Sequence, residues 1–114
     1  MSLTTTIAGQ RVTVHTNCQP VRWMGKLGLT LGTHIFVSVH AWQVWPALIA
    51  HEYGHVRQWQ ALGAWRFAVA YVRGLLTHGY GLKHPMEREA HEGEAYWLEH
   101  PDVIAVVRTL GGRV

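Results

Sequence analysis

Pro46-Ala47-Leu48-Ile49-Ala50-His51-Glu52-Tyr53-Gly54-His55-Val56-Arg57-Gln58-Trp59-Gln60-Ala61-Leu62-Gly63 reads as one helix that carries its own punctuation. Proline suits a first helical turn, where its missing N–H would find no partner anyway. Gly63 supplies the stop. Val44, Leu48, His51, His55, Trp59 and Leu62 recur at spacings of three and four, so they form one apolar face. Both histidines therefore point inward, where a polar group is costly unless something bonds it.

Positions 51–55 of that helix form an H-E-x-x-H motif. Side chains four apart stack on one face, so His51 and His55 can turn a ring nitrogen toward a single metal ion. Glu52 stands about 100° further round the helix, badly placed to be the third ligand but well placed to deprotonate a metal-activated water. Two imidazoles, an open coordination position and an adjacent carboxylate base are the working parts of a zinc hydrolase, with one Zn2+ as cofactor.

Outward from this helix, the N-terminal third reads as β-structure. Thr4 to Ile7 is a strand, Ala8-Gly9-Gln10 a turn, and Arg11 to Thr16 alternates polar and apolar residues as a second arm. Gly25, Gly28 and Gly32 mark a loop-like stretch, with room for a short helix over Val21 to Leu27. Thr33 to His40, rich in β-branched and aromatic residues, reads as a strand. After Gly63 a second helix runs from Ala64 to Leu76, with Trp65, Ala68, Val69, Val72 and Leu76 expected as its buried stripe. Thr77 to His84 is a loop, Pro85 opens a third helix ending near His100, and Pro101 opens a short last one before Gly111-Gly112. Strands first and helices after predict an α+β fold: a small antiparallel sheet packed against three to four helices, with H-E-x-x-H on the first long one. The whole of residues 1–114 is expected to be a single domain.

Composition narrows the function classes. With 48% hydrophobic and 15% charged residues the chain belongs with globular proteins. The net charge of +3 comes from scattered basic residues, and no dense cluster suggests a nucleic-acid partner. Cys18 is the only cysteine, so an intrachain disulfide is impossible and a metal site must use histidine and carboxylate ligands. The N-terminus lacks the basic start and apolar run of a signal peptide, and Arg66 and Arg73 interrupt the longest apolar stretch. These features lead us to expect a soluble, intracellular protein with no transmembrane segment. Six tryptophans suit core packing and also a peripheral membrane contact. Nothing in the chain specifies an oligomeric state.

A catalytic zinc takes three protein ligands. His84-Pro85-Met86-Glu87-Arg88-Glu89-Ala90-His91-Glu92-Gly93-Glu94 is the densest run of candidates for the third. On a regular helix from Pro85, Glu87, His91 and Glu94 share a face, while Glu89 points about 200° away from Glu87. The residues alone leave His84, Glu87, His91 and Glu94 open.

His51-Glu52-Tyr53-Gly54-His55, followed some thirty residues later by Glu87-Arg88-Glu89-Ala90, resembles the gluzincin metallopeptidases and in its small size the minigluzincins. The Glu-x-Glu-Ala segment is also similar to that of the CaaX-prenyl peptidases. The resemblance covers roughly positions 30 to 98. It implies a zinc peptidase acting on a peptide or protein substrate, with His51, His55 and Glu87 as metal ligands and Glu52 as general base. It also implies an edge strand that aligns the substrate, a role expected of Thr33 to Val39. At His91 the chain departs from the family, which usually has an aspartate there supporting a ligand histidine; an imidazole replaces that carboxylate only in part. The group stabilising the oxyanion is not specified: His78, Tyr80, His91 and Tyr96 are candidates, with His91 also a candidate partner for a ligand. The rival reading is a small binding or regulatory module with a structural zinc, which would need a fourth protein ligand such as His84, His91 or Glu94.

Overall fold

The computed structural model describes residues 1–79 and 81–114. Ala8 and Gly9, with φ of 49° and 82°, make a tight turn whose twist suits a hairpin. The turn joins β1 (Ser2–Ile7) to β2 (Gln10–His15) in antiparallel register from Ser2↔His15 to Ile7↔Gln10. A short helix, α1 (Gln19–Trp23), leads to β3 (Gly28–Leu31), and a turn at Gly32 reverses the chain into β4 (His34–Val37). The strand order is β1-β2-β4-β3.

Two expectations about the sheet are corrected here. The sheet is mixed, because β4 pairs with β2 in parallel while both outer pairings are antiparallel. The cause is the connection: the chain leaves β2, crosses by way of α1, and lays β3 on the far side before β4 returns between them. The strand read as the edge, Thr33 to Val39, is therefore interior, and the edge on that side is the glycine-containing β3 that had read as loop.

One face of the sheet, through Ile7, Val12, Val14, Ile35 and Val37, packs against helices. After a 3-10 turn (Ala41–Gln43) comes α2 (Pro46–His78), broken at Gly63, whose φ of 79° and ψ of 164° are non-helical. The predicted stop is thus a change of direction between two helical halves. Leu48, Ile49, Tyr53 and Val56 of the first half join the core. α3 (Pro85–Trp97) and α4 (Pro101–Leu110) complete the fold, and α4 adds Val103, Val106, Val107 and Leu110. Each opens on a proline after a histidine whose Nδ1 accepts a backbone N–H, His84 from Met86 and His100 from Asp102.

The stripe expected to be buried after Gly63 is inverted. Trp65, Val69, Val72 and Leu76 are exposed, as is Ala68, whereas Phe67 and Gly74 are buried and Tyr71 half-buried. This half is apolar on both sides, so periodicity alone could not choose which one faces inward. Among the described residues no helix is long and apolar enough to cross a membrane.

Candidate metal centre

His51, His55 and Glu87 meet where the first half of α2 lies against α3. One ligand atom from each falls within 4.8 Å of the others. Glu87 Oε1 is in direct contact with His55 Nε2 and lies 3.7 Å from His51 Nε2. Helices approach closely here because a Cβ on Gly54 would stand 3.1 Å from Ala90, so glycine is what lets α3 come this near.

The outer nitrogens of both rings are already used. His51 Nδ1–H donates to Glu94 Oε1 at 2.8 Å, and His55 Nδ1–H donates to Gln58 Oε1 at 2.8 Å. The Gln58 amide is oriented by donating to Met86 O at 2.9 Å and to Glu89 Oε1 at 3.2 Å. With their protons on Nδ1, both neutral rings present an Nε2 lone pair to the Glu87 carboxylate. Three acceptors then converge with no donor among them, an arrangement that calls for a cation or for extra protons. The electrostatics agree. Burial works against a charged His51, but the Glu87, Glu52 and Glu94 carboxylates outweigh it and raise its pKa. Burial likewise opposes ionisation of Glu87, yet with the extra protons on the rings, hydrogen bonds from His51 and His55 hold it well below the usual carboxylate range. The donor set of two imidazoles and one carboxylate suits zinc.

Glu52 is buried beside this group on its β3 side. Thr30 Oγ1–H bonds to both Glu52 Oε1 and Glu52 O at 3.1 Å. A Cβ on Gly28 would come within 2.7 Å of Glu52 Oε2, so β3 makes room for the carboxylate. Burial pushes the Glu52 pKa up, against the opposing pull of His55, His51 and the Thr30 hydrogen bond. Hollows open on either side. One of about 240 Å³ is lined mainly by apolar groups, including Leu29, Trp59, Phe67 and Tyr71, together with Glu52, His55 and Glu87. The other, about 360 Å³, has Trp45, Leu48, His51, Glu52 and Glu94 in its walls.

The remaining candidates are placed elsewhere. His84 is fully buried, its Nε2–H donating to Tyr71 O at 2.8 Å while Nδ1 caps α3, so both nitrogens serve the fold. His91 is exposed, with Nδ1 3.4 Å from Glu94 Oε1; the carboxylate that supports a ring is Glu94, one turn further on, and not the residue at 91. Tyr96 is 69% exposed and packs edge-on against Trp97, and His78 is exposed at the end of α2. Tyr80 lies outside the described residues. Sequence reasoning missed Gln58, Thr30 and Gly28. Only Gln58 carried a signal, its i+3 spacing from His55.

Compared with known proteins, the chain matches no family model, no curated protein and no solved structure.

Proposed function

We propose that the chain is a zinc-dependent peptidase of gluzincin type, with His51, His55 and Glu87 as ligands and Glu52 as general base. The observation that carries this reading is the convergence of two Nε2 lone pairs and a carboxylate oxygen beside a separate buried carboxylate. A bound zinc ion supplies Lewis acidity to a water and to the scissile carbonyl. Glu52 accepts the water's proton and returns it to the leaving amine. Glu94 and Gln58 keep both rings aimed by holding their Nδ1 protons.

The substrate would add as a strand to the edge of β3. Ser38 N–H donates to Leu27 O, which makes 29/36 and 31/34 the hydrogen-bonded pairs and turns the backbone groups of Gly28 and Thr30 outward. Trp59 Nε1–H already takes Thr30 O at 3.2 Å, so Gly28 is the better register point. A structural zinc would need a fourth protein ligand. The commitments of His84 and the Nδ1-side position of Glu94 count against that rival.

Peptide hydrolysis measured before chelation, after it, and after zinc is restored tests the reading. Activity should vanish and return. Chelator-insensitive cleavage, or none with zinc bound at one equivalent, would overturn it.

A further inference from the structure

The outward face of α2 beyond Gly63 is a contiguous apolar surface with a basic flank. At about 100° per residue, Trp65, Val69, Val72 and Leu76 fall within roughly 60° of arc, opposite Phe67 and Gly74. Trp65 is 79% and Leu76 83% exposed, and Val69 and Val72 about half. Single exposed apolar residues are unremarkable, but a continuous stripe of this kind marks a contact surface. Arg66 and Arg73 stand together along one side of the stripe, about 80° to 100° from Trp65. The charge is one-sided over a long stretch. No acidic residue occurs between Glu52 and Glu87, and Lys83 follows beside the exposed Leu82.

We propose that this face docks on an anionic lipid surface, with the helix lying in the interface plane. Trp65, Val69, Val72 and Leu76 would enter the boundary of the acyl region, and Arg66 and Arg73 would reach the phosphates. The charge pattern favours this occupant over a second copy of the chain. Two such faces laid together would oppose arginines, and the helix beyond Gly63 carries no carboxylate to meet them. The helix is too short and too interrupted to span a bilayer, so the contact is peripheral. Phe67, Ala68, Tyr71 and Val72 also line the hollow beside Glu52, His55 and Glu87, so docking would hold that hollow next to the membrane. The proposal does not depend on what chemistry the metal centre performs.

Flotation of the full chain with two kinds of vesicle tests it, pure phosphatidylcholine against phosphatidylcholine with about one third phosphatidylglycerol. The parent should float with the anionic vesicles and be released by raised salt. Arg66→Gln with Arg73→Gln should weaken that binding about thirtyfold. Trp65→Ser with Leu76→Ser should weaken it at least tenfold, on the order expected for losing two buried anchors. Melting curves check that both variants fold; should the second melt early, the arginine pair, which touches no core, decides alone. A parent that ignores anionic vesicles, or an arginine variant that binds them as the parent does, overturns the proposal. So does self-association of the parent, lost in Trp65→Ser with Leu76→Ser, without vesicle binding; that result assigns the face to a second copy.

Discussion

The two halves of α2 are similar in apolar character and are held very differently. Before Gly63, Leu48, Ile49, Ala50, Tyr53 and Val56 are buried, and the helix is gripped by the sheet, α3 and α4. After Gly63 only Phe67 and Gly74 are buried, and most of the apolar surface faces outward. Every group of the candidate centre that α2 supplies comes from the first half, and each is tied to a fixed neighbour: His51 to Glu94, Glu52 to Thr30, His55 to Gln58. A site of this kind needs its side chains locked by packing and by partners, which the second half could not offer. The second half is fastened along its inner side, where Phe67 stacks on Trp59 and Tyr71 packs against His55. The His84 ring bonds to Tyr71 O and fills the space that Gly74 leaves empty.

That contrast can be broken most forcefully at the ligands. His51→Ala or His55→Ala should abolish zinc binding in calorimetric titration and lower the melting temperature of the zinc-loaded protein to that of the chelated parent. Retained stoichiometric zinc would remove the first half's special standing. Next in size, Ile49→Ala should cost about 2 to 4 kcal/mol in urea unfolding, because it empties a fully buried site. Glu94→Gln should follow, weakening zinc binding about ten- to a hundredfold, with His91→Ala near the parent. The reverse order would return the supporting role to position 91. Gly74→Ala places a Cβ 2.5 Å from the His84 ring and should cost about 1 to 3 kcal/mol, unless the second half can lift away unopposed. Smallest of all, Leu76→Ala should alter stability by no more than about 0.5 kcal/mol. A loss comparable to that of Ile49→Ala would mean that the outward face is covered.

The same contrast explains what could be read from the chain. Proline at 46, 85 and 101 and glycine at 63 are local signals, and they place three helices and a break where the structure has them. The helical spacing that puts His51 and His55 on one face is local too, and the structure brings both to Glu87. What stayed hidden depends on distant parts of the fold. Gly28 sits in an edge strand because β4 returns beside β2, and no local pattern reports that crossover. The second half of α2 was read inside out because its two faces are equally apolar. Glu94 was visible on the same face as Glu87, but its partner, His51 Nδ1, is set by how α3 lies across α2.

In the proposed peptidase Glu52 acts on substrate while His51, His55 and Glu87 hold the metal, and Glu52→Gln separates the two roles. The amide keeps the size of the side chain and can still accept the Thr30 hydroxyl, but it cannot take a proton. Zinc content and peptide hydrolysis should be measured on the same preparation of parent and variant. About one zinc per chain is expected in both, with hydrolysis by the variant reduced about a hundredfold to ten-thousandfold. A variant that keeps the parent's rate, or one that loses its zinc, would contradict this division of roles.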